Sequence, residues 1–392
     1  MYIDYTPAEQ ALRSELRAYF AALFTPALQA ELDEGFEGGG PEFRRALQRM
    51  GRDGWLGVGW AKEHGGQGRS EVEQFIFFDE VQRAGFPIPI LTLCTVGPTI
   101  AKFGTDAQRA KYLPGILRGE LHFSIGYTEP EAGTDLASLK TRAVRDGDCY
   151  IVNGQKVFTS LATHADYIWL AVRTDPDAPK HKGISILIVD AKSPGFSMTP
   201  TPTLGDNPVC TTYYEDVRVP VENLVGGENR GWKLITTQLN HERVALMSVG
   251  PAQRSLDETI AWARATRDGA GQRVIDRPWV QQSLAKVHAH IEVLKLLNWR
   301  QAASLAGGHL DMAEASTVKV FGSELYVECY RLLLEVLGPA GALKVGSPGA
   351  ALRGRVERFY RATLVLTFGG GTNEVQRDII AMSGLGIPRP PY

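Results

Sequence analysis

A glutamate on an otherwise apolar helix face is the first residue that could do acid–base chemistry. Glu242 follows Leu239 by three residues and precedes Leu246 by four. Ile235 lies a further four residues back, so the apolar stripe covers one face of a predicted helix. Burial disfavours the charged form of a carboxylate and raises its pKa, which suits a general base near pH 7. The alternative is a glutamate at the edge of the stripe, or one paired with a basic neighbour such as Arg243.

A turn-rich segment, SIGYTEPEAGTD from Ser124 to Asp135, could bind a polar ligand. It contains two glycines and a proline, and backbone N–H groups in such turns can converge on a polar group. Thr128 and Thr134 add hydroxyls that both donate and accept hydrogen bonds. An ordinary loop between two domains is the alternative.

A second glycine-rich turn, FGGGT from Phe368 to Thr372, precedes the predicted helix NEVQRDIIA. Consecutive glycines let the backbone approach a ligand closely. Thr372 is a predicted N-cap, so the helix after it offers free N–H groups to a polar or anionic ligand. The alternative is a flexible connection between two helices.

Other familiar site patterns are missing from the sequence. It contains no GxxxxGK[ST] loop, no GxGxxG between a strand and a helix, and no spacing typical of a metal site. The 42 lysines and arginines nearly balance the 44 aspartates and glutamates, which gives no basic surface for nucleic acid. Four scattered cysteines indicate a reducing compartment. Since the sequence shows neither a membrane-spanning apolar run nor a signal-peptide pattern, we expect a soluble, cytoplasmic protein.

Three zones of different periodicity must position these segments. Residues 1–122 and 230–392 carry apolar residues at helical spacing, whereas 123–229 contains short β-prone runs separated by turns. The pair Asn153-Gly154 between two such runs predicts a hairpin. The sequence therefore predicts an α+β multidomain protein: an N-terminal helical domain (1–122), a central antiparallel β-barrel or sandwich (123–229) and a C-terminal helical bundle (230–392).

The chain resembles the acyl-CoA dehydrogenases over nearly its whole length. Four segments carry the resemblance, in the family's order: GWAKEHGGQGRS, YTEPEAGTDLASLKTRAVRDGDCYIVNGQKVFTS, EDVRVPVENLVGGENRGWKL and GGGTNEVQRDIIA. The resemblance implies an all-α N-terminal domain, a central antiparallel β-barrel and a C-terminal four-helix bundle. It also implies α,β-dehydrogenation of an acyl thioester, in which a base removes the α-proton while the β-hydrogen passes as hydride to flavin N5.

The cofactor implied by the resemblance is FAD, held between barrel and bundle and across a subunit interface. By motif position, Tyr127 and Thr128 lie against the flavin with their backbone and hydroxyl groups, and Thr134 follows in the same loop. Phe158 and Ser160 stand where relatives often carry Trp and Thr, so the aromatic ring would shield a flavin edge and the hydroxyl would bond N5. The other implied cofactor-binding residues are Arg267, Thr372 and Glu374.

The resemblance also assigns the base. Many relatives carry it in Tyr-Glu-Gly-Thr before the terminal helix, and the position of that glutamate is Gly370 here. Glycine cannot accept a proton, although its N–H can donate to the thioester oxygen. A smaller group, similar to the isovaleryl and long-chain enzymes, places the base on the bundle helix, where this chain has Glu242. The same motif implies substrate contacts for Asn240 and Arg243.

Two departures from the family pattern concern the subunit interface. Relatives often carry Arg-x-x-Phe-Gly for the FAD diphosphate and Gln before Gly-Gly for the adenine, where this chain reads RDGAG from Arg267 and EVLGP from Glu335. An acidic residue near a diphosphate is unfavourable. The tail VERFYRATLVLTFGGGTNEVQRDIIAMSGLGIPR resembles bacterial members that act on bulky steroid side-chain thioesters, some of which pair two unlike subunits.

The resemblance thus implies an acyl-CoA substrate with a bulky acyl group and an electron-transfer flavoprotein or equivalent as electron acceptor. It also implies a homotetramer, or a heterotetramer with a related subunit. Two other functions stay open. The chain could dehydrogenate acyl or aminoacyl groups on a carrier protein, or it could be a non-catalytic subunit that completes a partner's FAD site.

Overall fold

The computed structural model describes residues 4–34, 39–307 and 311–388, with the side chains of 239–246 outside that description. Within the described residues, six α-helices precede the β domain: α1 (Pro7–Leu23), α2 (Pro26–Glu34), α3 (Pro41–Arg52), α4 (Glu71–Ala84), α5 (Gly97–Phe103) and α6 (Asp106–Leu117). A π-helical segment, Leu91–Val96, leads directly into α5.

Local sequence signals explain where these helices begin and which face they bury. The first turns of α1, α4 and α6 each carry a capping box, in which Thr6, Ser70 and Thr105 satisfy N–H groups of the first turn. The helical apolar spacing predicted for residues 1–122 is confirmed in α1, where Leu12, Leu16, Phe20 and Leu23 are all buried. Helix α1 packs on α4, where the buried Glu80 carboxylate binds two arginines of α1.

Eight strands form the middle of the described chain: β1 (Phe123–Gly126), β2 (Arg142–Asp146), β3 (Cys149–Ser160), β4 (Tyr167–Arg173), β5 (Ile184–Asp190), β6 (Phe196–Thr201), β7 (Val209–Pro220) and β8 (Leu224–Val225). Their order in the sheet is β6-β7-β3-β2-β4-β5-β8, and β1 pairs with β4. The expectation of antiparallel pairing alone was wrong, because β1 and β2 both run parallel to β4. Long connections make these parallel pairings possible.

The predicted hairpin at Asn153-Gly154 was also wrong. Strand β3 runs through this pair, and the tight turn lies at Gly147, between β2 and β3. Asn153 instead bonds the side chain and the N–H of Asp216 across a bulge. Glycine is needed at 154 because a Cβ there would lie 2.6 Å from the Thr141 hydroxyl oxygen. The Asn-Gly pair therefore marks a bulge with close backbone approach.

The central strands are buried on both faces, which fixes the β domain against the helices. Ile168, Leu170 and Val172 of β4 face the core within the β domain. Trp169 and Ala171, which alternate with them, join the core shared with the N-terminal helices. This alternation follows from the two-residue period of a strand.

The described C-terminal part contains α7 (Gly231–Leu246), α8 (Gly250–Ala265), α9 (Pro278–Ala306), α10 (Met312–Leu337), α11 (Arg355–Thr363) and α12 (Asn373–Ile379). The apolar faces of α8, α9, α10 and α11 form one core, whereas Leu234 and Ile235 of α7 join the core shared with the N-terminal helices. The buried Asp79 of α4 joins the two helical parts, because its carboxylate accepts from the Ser248 hydroxyl at 2.8 Å and the Gly250 N–H at 2.9 Å. Across the described residues, no helix is both long enough and apolar enough to cross a membrane.

Candidate active site

The Ser124–Asp135 loop runs beside the end of β3. The Val157 N–H donates to the Thr128 carbonyl at 2.8 Å, and the Ser124 hydroxyl donates to the Ser160 carbonyl at 2.7 Å. These two bonds hold Thr128, Phe158 and Ser160 at one edge of the sheet. Three of the predicted cofactor residues are therefore brought together by backbone contacts.

Phe158 adopts an unusual conformation at this edge. Its φ is 57°, and its side chain is 69% exposed. The register of β3 against β7 shifts between Lys156 and Thr159, which turns the Phe158 ring outwards. A left-handed conformation is costly for a large side chain and is typical of functional sites. Ser160, two residues further on, is partly buried.

Tyr127 connects the loop to α7. Its buried hydroxyl donates to Gln238 Oε1 at 2.5 Å and accepts from Trp169 Nε1 at 3.0 Å. The Tyr127 hydroxyl is thus engaged inside the protein, with Gln238 and Trp169 as its partners. Gln238 is fully buried in α7, and position 242 stands one helical turn beyond it. Thr134 lies exposed on the same loop.

The terminal glycine turn has a backbone that favours glycine. Gly370 and Gly371 have φ values of 70° and 95°. A Cβ at Gly370 would meet no described atom within 4 Å, whereas a Cβ at Gly371 would lie 2.7 Å from the side-chain amide nitrogen of Gln376. The predicted N-cap is confirmed, since Thr372 Oγ1 accepts from the Val375 N–H at 3.2 Å.

The first turn of α12 is docked on α10. Asn373 is buried and accepts from Lys319 Nζ at 2.7 Å, and its amide also bonds Ser323 and Glu324. Glu374 beside it is exposed. Hydrogen bonds from the Glu374 N–H and the Thr372 hydroxyl lower the pKa of the Glu374 carboxyl. The docking fixes where the glycine turn lies.

Arg267 lies apart, in an exposed hairpin after α8. Its guanidinium donates to the Gly271 carbonyl at 2.8 Å. The neighbouring Asp268 carboxylate binds Arg277 and two N–H groups of the same hairpin, and the Arg277 guanidinium lowers the pKa of this carboxyl. Glu335, the other acidic departure from the family pattern, pairs with Arg331. Both acidic residues therefore have their charge compensated within the chain.

The predicted base and its neighbours lie on α7. Glu242, Asn240 and Arg243 belong to the helix Gly231–Leu246, but their side chains lie outside the described residues. Their roles stay predictions.

A cavity of about 390 Å³ lies between α4 and α5. Apolar and aromatic side chains form most of its wall, among them Trp60, Phe75, Phe78, Cys94 and Leu305. Its size is within the range of small-molecule sites. No sequence pattern marks this cavity, since it depends on how two helices pack.

Three domain models of one protein family match this chain in sequence order. The acyl-CoA dehydrogenase N-terminal, middle and C-terminal domain models match residues 6–120, 124–217 and 229–385. The chain belongs to the acyl-CoA dehydrogenase family. The predicted family and fold are therefore confirmed, and the chain is an oxidoreductase that dehydrogenates acyl-CoA.

Relatives of this acyl-CoA dehydrogenase match it from end to end. It is 58% identical over 397 residues to "Acyl-CoA dehydrogenase FadE26" of Mycobacterium tuberculosis, covering 99% of each chain. Among solved structures, a chain of the ChsE4-ChsE5 complex from Mycobacterium tuberculosis is 58% identical, with a TM-score of 0.93 and 100% of both chains covered. A chain of the "Tcur3481-Tcur3483 steroid ACAD" is 51% identical, with a TM-score of 0.93 and the same coverage.

The sequence motifs did not reveal what supports the Ser124–Asp135 loop. Glu129 and Lys156 lie in the family signature but stood out neither by type nor by spacing, and the structure shows them as a buried ion pair beneath Thr128. The only signal available was a charged residue, Lys156, in a β-prone run two residues after the bulge-forming Gly154.

Proposed function

We propose that this acyl-CoA dehydrogenase uses FAD to oxidise the α,β bond of an acyl-CoA thioester, with Glu242 as the base for the α-proton. The observation that carries the proposal is the Tyr127–Gln238 hydrogen bond. It joins the loop with the predicted cofactor contacts to the helix with the predicted base, one turn before position 242. The predicted flavin contacts and the predicted base then lie on two segments that this hydrogen bond joins.

The residues at the sheet edge fit a flavin. A flavin is a flat aromatic ring system with polar edges, and the site offers an exposed Phe158 ring beside hydroxyl groups of Thr128 and Ser160. Stacked or edge-to-face contact suits such a ring, and the hydroxyls can bond its polar atoms. When bound, FAD supplies the acceptor for the hydride that leaves the β-carbon. Thr134, Thr372 and Glu374 are the further predicted contacts, with Arg267 for the diphosphate.

Proton removal is the task of the chain itself. Glu242 would take the α-proton, which is weakly acidic in water, so the thioester oxygen must be stabilised by fixed donors. The Gly370 N–H is our candidate donor, because a glycine with open space around its Cβ position lets a thioester approach the backbone. Asn240 and Arg243 are the proposed contacts to the rest of the substrate.

A bulky, steroid-like acyl group is the proposed substrate class. The support is the 51% identity to a protein described as a steroid ACAD, together with the end-to-end match to ChsE4-ChsE5. The cavity between α4 and α5 is our candidate for part of the acyl site, since its wall is largely apolar. A related subunit is the proposed partner, because both of these solved structures contain two named chains. An electron-transfer flavoprotein is the proposed electron acceptor.

An anaerobic spectral titration tests the function. The purified protein would be mixed in separate experiments with three thioesters. They are a steroid side-chain CoA thioester, a short-chain acyl-CoA, and the steroid side-chain acyl group on a carrier protein. We expect the visible absorption band of the oxidised flavin to bleach fastest with the bulky CoA thioester. Bleaching only by the carrier-protein thioester would contradict the CoA substrate. Failure of every thioester to bleach the flavin, both for the chain alone and for the chain together with a related subunit, would contradict catalysis by this chain.

A further inference from the structure

A buried ion pair lies directly beneath the candidate flavin loop. Lys156 Nζ is fully buried and donates to Glu129 Oε1 at 2.8 Å and to the Tyr127 carbonyl at 3.1 Å. The Glu129 carboxylate also accepts from the Lys140 N–H at 2.6 Å and the Thr141 N–H at 2.8 Å. One carboxylate and one ammonium thus tie together three separate stretches of the chain.

Stability gives little reason to bury these two charges. Removing an ion pair from water costs free energy that its own attraction only partly returns, and apolar residues of similar volume often serve stability as well. Burial lowers the pKa of Lys156 to about 8, against the opposing effect of Glu129. The pKa of Glu129 is lowered although burial opposes this, because the Lys156 ammonium and the surrounding donors favour the carboxylate. The pair is therefore ionised at neutral pH.

The pair acts on the residues that face outwards. Lys156 Nζ donates to the Tyr127 carbonyl. The N–H of the next residue of β3, Val157, donates to the Thr128 carbonyl at 2.8 Å. The bulge that follows turns Phe158 towards solvent. Two adjacent residues of β3 thus set both the Tyr127–Glu129 backbone and the direction of the exposed ring.

Glu129 closes the other end of this segment. Its N–H and carbonyl exchange hydrogen bonds of 3.1 Å with Ala132, which makes a tight turn before Thr134. Because the Glu129 side chain is anchored to Lys156, the start of this turn cannot shift relative to β3. A loop held in this way is preorganised for a ligand.

We propose that Lys156 and Glu129 are positioning residues, whose buried pair holds the Tyr127–Thr134 loop in the geometry that receives the flavin. Both side chains are buried, so they would act on the flavin through the loop and not by direct contact. The inference rests on the proposed use of FAD, and it names residues that act on FAD binding through the backbone.

The test separates cofactor binding from folding stability. The variants are Lys156→Met, Glu129→Gln and the double variant, each in the full chain in the oligomeric form in which it purifies. The double variant leaves no unpaired buried charge, so it covers the case in which a single variant does not fold. Asn223→Leu is the matched control, because it removes a buried bond to the Ile188 carbonyl of the same domain and one to Tyr112 of α6, and neither bond involves the Tyr127–Thr134 loop.

Three quantities would be measured on each variant. They are the dissociation constant for FAD with deflavinated protein, the visible circular dichroism of the bound flavin, and the urea midpoint without FAD. We expect the double variant to bind FAD about ten- to a hundredfold more weakly, the scale of one buried charge-assisted hydrogen bond. Its flavin dichroism should change, while Asn223→Leu should lose stability with FAD binding and dichroism unchanged.

The result that would overturn the inference is a double variant that binds FAD within about twofold of the parent, with the same flavin dichroism. The pair would then serve folding alone. A parent protein that fails to bind FAD even together with a related subunit would instead overturn the proposed function. The two failures are therefore distinguishable in the same set of titrations.

Discussion

At the scale of single residues, the exposure and backbone conformation of Phe158 are what point most directly to a ligand at the end of β3. A large aromatic side chain that is 69% exposed at a φ of 57° gains little from burial and is strained by its backbone. Such a residue needs another reason to be where it is. A flavin ring against the phenyl group would supply it.

The pair of variants Phe158→Ala and Phe158→Gly separates strain from contact. Both remove the ring, but only glycine relieves the left-handed conformation, whose cost of about 1–2 kcal/mol is partly offset by the backbone entropy of glycine. We expect Phe158→Gly to be more stable than Phe158→Ala by about 0.5–1 kcal/mol in urea unfolding. Both should bind FAD more weakly than the parent. Equal stability of the two variants would show that the backbone at Phe158 is not strained. Unchanged FAD binding would show that the Phe158 ring does not contact the flavin.

At the scale of elements, the long helices α9 and α10 are joined by a charged cluster at their surface. Glu328 of α10 accepts from Lys286 of α9 at 2.7 Å and from Arg331 at 2.8 and 2.9 Å. The Arg331 guanidinium, followed by Lys286, lowers the pKa of Glu328 from 4.5 to about 2. Because the cluster is partly exposed to water, its contribution to stability is modest.

The variant Glu328→Gln should therefore show a pH-dependent loss of stability. A carboxyl whose pKa is lowered on folding contributes above its unfolded pKa of 4.5, and that contribution disappears as the pH falls towards about 2. We expect a loss of under about 1 kcal/mol at pH 7 that fades between these values, measured by urea unfolding. Glu292→Gln, which removes a single surface pair with Lys295 on α9, is the control. A loss of stability that grew as the pH fell would contradict a lowered pKa of Glu328 in the folded protein.

The sequence predicted individual elements well where local signals decide them. The stripe of α1, the Thr372 cap and the β-prone runs all follow from spacing and residue type. The parallel pairing of β1 with β4 could not be predicted, since it depends on a contact across 44 residues. The Asn153-Gly154 pair misled because a hairpin and a bulge use the same residue types.

At the scale of the whole molecule, the candidate site lies where the domains meet. Tyr127 of the loop bonds α7, and Asp79 of the N-terminal helices bonds the start of α8. The boundaries after residues 122 and 229 stay predictions. Motif order alone predicted which segments take part, but Lys156 was missed because burial of a charge depends on tertiary contacts that have no sequence period.

Quaternary structure is the prediction that belongs to this scale. We expect the chain to assemble with a related subunit, and to bind less than one FAD per chain when purified alone. Native mass spectrometry of the chain, alone and co-expressed with a related subunit, would give both the stoichiometry and the flavin content. A homotetramer with one FAD per subunit would contradict the partner.

The central claim is that Glu242 removes the α-proton, and the Glu242→Gln variant tests it most directly. The variant would be mixed anaerobically with a steroid side-chain CoA thioester, and Glu222→Gln, an exposed glutamate of the middle domain, is the control. Loss of a general base slows its step by about 10²- to 10⁴-fold. We predict the same FAD content as the parent, with bleaching slowed by at least about a hundredfold in Glu242→Gln and unchanged in the control. Bleaching at the parent rate would contradict the account.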